Sequence, residues 1–194
     1  MADTMKRASP RDRLLDAADE LFYAEGVCSV GIDRVIAEAG VAKASLYSSF
    51  GSKDALVGAY LKERSAGWQA HVARELPVRW ETAEDRLLGV FDLLGEWFAA
   101  PGYHGCPFIN ASAEAKPDGG IEAVSDEHRA WVRSLFSRLA GEAGAPEPDR
   151  LARCLSLLYD GSMVAARLDR DPSAGSVARE AAAALLSAAL RTST

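Results

Sequence analysis

The sequence is short of the features that would make it a secreted scaffold, a membrane protein or a familiar kind of enzyme. Three cysteines, Cys28, Cys106 and Cys154, are odd in number, far apart and form no C-x-x-C pair, which points to free thiols in a reducing compartment. His104 and Cys106 make an H-x-C pair without evident third and fourth ligands, so neither metal nor cofactor is expected. The least polar stretch, 181–190, is about ten residues, half of what a membrane-spanning helix requires. Lys6 and Arg7 have no apolar run behind them, unlike a signal peptide, and a cytoplasmic protein is expected. In such a protein the sequon Asn110-Ala-Ser112 carries no meaning. There is no glycine-rich phosphate loop and no H-E-x-x-H, and Asp160-Gly161-Ser162 lacks the glycine that would complete a nucleophile elbow. An enzyme is not expected.

Positive charge is scarce too. The net charge is −6, and the first 53 residues hold seven Lys/Arg against eight Asp/Glu. Bulk electrostatics therefore gives nucleic-acid binding no support, and any such function must rest on where individual cations sit.

What the chain does have is helical periodicity and hydrophobic bulk, nearly half of all residues. Ser9-Pro10-Arg11-Asp12 is a helix start with a hydroxyl cap, an early proline and an acid three residues after the cap. Leu14, Leu15, Ala18, Leu21 and Phe22 follow on one stripe, and Gly26 ends it. Ile32, Val35, Ile36 and Ala39 form a second, short stripe capped by Gly31. Gly40 breaks the chain, and 42–50 carries a third helix. A long helix over 52–76 is expected to stop at Pro77. Further helices are expected over 83–100, near 106–115, through Val124–Leu139, over 149–169 and over 173–191, with a loop at 116–120. The expected class is all-α, about nine helices with no strand.

Two short helices joined at Gly40 behind a longer first helix make a helix-turn-helix. Ile32, Val35, Ile36 and Leu46 would pack on Leu14, Ala18, Leu21 and Phe22. That leaves Lys43, Ser45, Tyr47, Ser48 and Ser49 outward, a small hydroxyl-rich face that fits a major groove about 12 Å wide. Residues 21–56, LFYAEGVCSVGIDRVIAEAGVAKASLYSSFGSKDAL, resemble the N-terminal signature of the TetR family. The matching positions are an aromatic ahead of Gly26, then Ile32, Val35, Ile36, Ala37, Ala39, Gly40 and Val41. They continue through Ser45-Leu46-Tyr47, Phe50, Ser52-Lys53 and Ala55-Leu56.

The resemblance implies that Tyr47 and Lys53 contact phosphates, Ser45 a phosphate or nearby base, and that Lys43 and Ser49 face base edges. Leu46 and Phe50 would be core. Two departures stand out. Ala42 replaces a capping serine, at a cost of roughly 1 kcal/mol. Ser48 and Ser49 replace larger residues, which thins direct base readout in favour of water and DNA shape. The implied organisation is a DNA-binding domain at 1–53, a connecting helix at 52–76, and a ligand-binding and dimerisation domain at 54–194.

The helix at 149–169 is apolar or small on two faces, Leu151, Leu155, Leu158, Ser162 and Ala165 on one, Cys154, Leu157, Gly161, Val164 and Leu168 on the other. Such a helix is buried on two sides, which a homodimer through 149–191 would supply. The last helix adds small residues at Ala181, Ala184 and Ala188. By resemblance, these two helices of each subunit form the dimer interface, and two-fold symmetry implies a palindromic double-stranded operator. Aromatics crowd the middle of the chain. Trp68, Phe91, Trp97, Tyr103 and Phe108, with Trp131, Tyr159, His104 and Asn110, are the candidates for a small-molecule effector site. The negative net charge favours a neutral or cationic, largely apolar effector. Tryptophan at Gly95 or Asn110 would fill the cavity. A helical small-molecule-binding protein or enzyme without DNA binding stands as the second reading.

Overall fold

Ser9 caps the first helix as a reciprocal box: its hydroxyl accepts the Asp12 N–H, and the Asp12 carboxylate accepts the Ser9 N–H, each at 3.2 Å. The computed structural model describes residues 8–114 and 120–191. Among these the protein is all-helical: α1 (Pro10–Glu25), α2 (Ile32–Ala39), α3 (Lys43–Phe50), α4 (Lys53–Arg79), α5 (Ala83–Ala99), α6 (Pro107–Glu114), α7 (Gly120–Glu142), α8 (Pro148–Leu168) and α9 (Ala174–Arg191). Of the loop expected at 116–120, residues 116–119 lie outside the described ones, and Gly120 opens α7.

The expected stop at Pro77 is overturned. Pro77 lies inside α4, which continues to Arg79. A proline so near a helix end deprives only the Ala73 carbonyl of its N–H partner, and Trp80 N–H still bonds the Leu76 carbonyl at 3.2 Å.

The chain divides into two compact units: the residues up to Arg64 with Pro107–Ser125, and Ser65–Cys106 with the residues from Asp126 onward. Both α4 and α7 are shared between them. In the first unit α1, α2 and α3 enclose Leu14, Ala18, Leu21, Phe22, Val35 and Leu46, all buried, while Ile32 and Ile36 are half-buried. Gly40 closes α2 in the left-handed conformation (φ 58°), where a β-carbon would be strained. The start of α4 joins this core: Tyr60 meets Phe22 edge-on, ring centroids 5.7 Å apart, and Arg64 forms a two-pronged pair with Asp19.

In the second unit α5, α8 and α9 pack together around Phe91, Leu94, Leu155 and Leu186. Phe136 of α7 stacks on Phe91 at 5.6 Å and meets Tyr159 edge-on at 6.1 Å. A polar group is also buried here. Ser65 Oγ and His128 Nδ1 are 2.9 Å apart, and Gln69 Nε2 donates to Ser65 Oγ at 3.0 Å.

Burial, and then the neighbouring Arg129, push His128 down from 6.5 to about 4. The unfolded chain takes up this proton near pH 6.5, the folded one only near 4. Stability from this group therefore rises with pH through that window and is lost on acidification, by up to roughly 3 kcal/mol. Denaturant unfolding at pH 7 and pH 4.5 should show a smaller acid loss in His128→Gln than in wild type. Equal losses would mean that His128 is not held neutral.

Candidate nucleic-acid interface and effector region

The candidate interface is built on α3. Leu46 is its fully buried anchor, and Lys43, Tyr47 and Ser48 are exposed, with Tyr47 at 49%. Ser45, Ser49 and Phe50 are half-buried, and the Arg11 guanidinium lies 5.3 Å above the Phe50 ring. Ala42 occupies the cap position of α3 without a side-chain bond, and of the first N–H groups that of Ser45 bonds the Ala42 carbonyl at 2.9 Å. Lys53 is the first residue of α4, half-buried, one position after Ser52, whose hydroxyl accepts the Ala55 N–H at 3.1 Å. Lys43, Ser45, Tyr47, Ser48, Ser49 and Lys53 thus lie in one unit, on α3 and the helix start that follows it.

Ser48 Oγ donates to the Ser45 carbonyl at 3.1 Å, so its proton is turned back into its own helix and its lone pairs face outward. Lys43 Nζ donates to Asp33 Oδ1 at 2.9 Å, which also raises the lysine's pKa. To reach a base, Lys43 must leave this exposed pair. Asp33→Asn should strengthen DNA binding and steepen the log–log salt slope by about 0.9 per half-site. Fluorescence anisotropy across a salt series measures both. An unchanged slope would remove Asp33 from the interface.

Sequence reasoning missed three positioning residues in this unit. Asp33 is the first. Arg13 Nη2 donates to the Gly40 carbonyl at 2.9 Å, tying α1 to the helix-turn-helix corner. Glu114, at the end of α6, holds the turn after α1: its Oε2 accepts the Cys28 N–H at 2.6 Å, and its carbonyl accepts from Cys28 Sγ at 3.3 Å. Gly26 leaves room for that carboxylate, since a β-carbon there would stand 2.5 Å from Glu114 Oε1. Partners 27 and 86 positions away leave no local signal.

The effector candidates fall into several groups. Trp68, Trp97 and Tyr103 cluster, with centroids 5.8 and 5.1 Å apart along that order, and the Tyr103 hydroxyl donates to the Met163 carbonyl at 3.1 Å. The Trp68 indole N–H is buried and, among the described residues, meets no acceptor in hydrogen-bond geometry; the Tyr159 hydroxyl is its polar neighbour. Burial pushes that phenol well above its ordinary range. Phe91 and Tyr159 share Phe136, Trp131 lies beside His128, and His104 is half-buried in the loop before α6. Phe108 and Asn110 lie on α6, in the other unit.

The expectation that tryptophan at Gly95 would fill a cavity is overturned. A β-carbon at Gly95 points at the Gly175 Cα, 3.8 Å away, so the site is a helix crossing and an indole there would wedge α5 from α9.

A hydroxyl-rich helix presented by a three-helix core, with a lysine at the start of the next helix, is the arrangement of a helix-turn-helix DNA-binding protein. The family model for bacterial regulatory proteins of the tetR family matches residues 14–60. A TetR-family transcriptional regulator from Streptomyces coelicolor is 34% identical, with a TM-score of 0.81 over 94% of this chain and 95% of its own. A putative TetR transcriptional regulator from Streptomyces avermitilis is also 34% identical, with a TM-score of 0.83 over 94% and 98% of the two chains. Among curated relatives, an HTH-type transcriptional regulator of Mycobacterium tuberculosis is 35% identical over 68 residues, 35% of this chain, so the match spans about a third (32%) of that relative's length. The HTH-type regulator LmrA of Bacillus subtilis is 24% identical over 74% of this chain and 77% of its own. The chain belongs to the TetR family: it is a DNA-binding transcriptional regulator and not an enzyme.

Proposed function

We propose that the protein is a cytoplasmic, ligand-responsive repressor that binds a palindromic operator as a homodimer and leaves it when a small, largely apolar molecule binds. The observation that carries this reading is the pairing of an outward α3 with an uncovered apolar stripe on α8. Leu157 is 71% exposed, Leu168 74% and Val164 40%, with Gly161 between them and Val177 of α9 also exposed. Leu151, Leu155 and Ser162 on the opposite side are buried in the chain's own core. The same face of α9 offers Ala184 and Ala188, small enough for close helix approach. A stripe of that kind supports an isologous interface through 149–191, which would set two copies of α3 at a fixed separation. Among the described residues no helix is long and apolar enough to cross a membrane.

In this reading residues 1–53 bind DNA and 54–194 sense ligand and dimerise. Lys53 and Tyr47 anchor phosphates, Ser45 a phosphate or nearby base, and Lys43, Ser48 and Ser49 face the bases. A ligand that prefers a conformation with α4 displaced would alter the half-site spacing, and it could act only through differential affinity for the two states. The test is a salt-dependent gel shift on DNA from beside the protein's own gene. Lys53→Ala and Tyr47→Phe should weaken all operator variants alike, with Lys53→Ala lowering the salt slope by about one charge per half-site. Lys43→Ala should relax preference at particular base pairs. Wild-type binding by all three variants would displace the interface from α3, and absence of binding by the wild-type protein would favour a helical ligand-binding protein without an operator.

A further inference from the structure

The second unit has an open cleft of about 500 Å³ between α4, α5 and α7. Its lining is mainly apolar, with Val72, Leu76, Pro77, Trp131, Leu135 and Leu139, and Gln69 is the uncharged polar side chain among them. Two arginines reach it, and they differ. Arg138 is paired on the surface, its Nη1 donating to Glu142 at 3.0 Å in an i,i+4 pair. Arg86 is half-buried and, among the described residues, pairs with no carboxylate; its Nε donates to the Trp80 carbonyl at 3.0 Å. The adjacent acid, Asp85, is taken by the Thr82 hydroxyl at 2.7 Å.

From this we infer that the cleft binds an amphipathic monocarboxylate, its apolar body against Leu135, Leu139 and Trp131 and its carboxylate on the free end of the Arg86 guanidinium. With Nε committed, the four remaining N–H donors keep a planar fork that matches a carboxylate in two parallel bonds. A single uncompensated cation at the edge of an apolar wall favours one negative charge. A polyanion would find its further charges against a mainly apolar lining and an arginine already paired with Glu142. The negative net charge suggested a neutral or cationic effector; the cleft reverses that preference, because a ligand responds to the groups within a few ångströms and not to the charge of the whole surface.

This inference rests on the ligand-responsive reading and names the class of effector. Isothermal titration of the full chain with octanoate, 1-octanol and octylammonium tests it directly. Octanoate should bind at one site at least about ten-fold more tightly than the alcohol, with the ammonium weakest. Arg86→Met should lose about ten-fold in octanoate affinity and leave octanol within about two-fold. Arg86→Lys, which keeps the charge without the fork, should fall between them, an order that a merely structural role for Arg86 would not produce. Equal octanoate affinity in Arg86→Met, tighter binding of the alcohol or ammonium, or no heat from any probe would overturn the assignment.

Operator anisotropy in parallel separates this result from the broader reading. Release of DNA by the alcohol or ammonium alone would keep the ligand-responsive regulator and overturn the carboxylate. Octanoate binding that depends on Arg86 but leaves operator affinity unchanged would keep the site and overturn its role in regulation.

Discussion

With the α8 stripe as the proposed two-fold interface, replacing Gly161 with arginine is expected to give a folded monomer with little operator affinity. Gly161 lies in the middle of the exposed α8 stripe, and a β-carbon built there meets nothing within 4 Å. The substitution therefore leaves the chain's own core untouched, and a glycine inside a helix gives way to a better helix former. In a two-fold interface the same position comes twice, so two guanidinium groups would be buried beside Leu157 and Val164 of both chains. An uncompensated buried charge costs roughly 3–5 kcal/mol, and two of them outweigh most of what such an interface contributes. Half-sites would then be bound independently, without the gain of linkage. Sedimentation with matched circular dichroism measures the first consequence and a gel shift the second. A Gly161→Arg protein that remains dimeric would place the interface elsewhere.

The other large effect concerns stability. Gly175 of α9 and Gly95 of α5 face each other where the two helices cross, yet they are not equivalent. A β-carbon at Gly175 would lie 2.6 Å from the Gly95 Cα, 2.9 Å from its nitrogen and 3.2 Å from the Phe91 carbonyl. All three are backbone atoms, which cannot swing aside, so Gly175→Ala must push the helices apart. Overpacking of this kind costs about 1–3 kcal/mol or more, beyond the gain of up to about 1 kcal/mol in helix propensity. Separation would also strain the Arg179–Asp92 pair, 3.1 Å, which bridges the same two helices.

At Gly95 the added carbon would meet Gly175 Cα at 3.8 Å, an ordinary contact, so Gly95→Ala should be neutral or slightly stabilising. Thermal and urea unfolding of the two single variants tests the asymmetry. If both lose stability equally, the crossing is not as close as described.

The helix-turn-helix was legible before any coordinates because its signals are local. A capping box at Ser9, a stripe from Leu14 to Phe22, glycines at 26 and 40 and the run from Ser45 to Lys53 lie within a few turns of what they control. The Pro77 error has the opposite origin. Proline's intrinsic preference spoke for a stop, but near a helix end the lost hydrogen bond is a single one and tertiary packing outweighs it. The aromatic residues gave a region and not a site, since rings at helical spacing look alike in sequence whether they fill a core, as Phe91 and Phe136 do, or line a cleft, as Trp131 does.

Residue pattern alone carried the all-helical class, the register of the three N-terminal helices, the outward side of α3 and the second apolar face of α8, because helical period and capping are properties of neighbouring residues. Tertiary structure decided the rest. That Asp33 holds Lys43, that Glu114 closes the turn at Cys28, that Gly95 meets a helix instead of a cavity, and that Arg86 meets no carboxylate among the described residues are all facts about groups brought together from separate helices. Charge and exclusion act through distance in space, and in a chain of packed helices that distance is set by how the helices cross and not by the order of their residues.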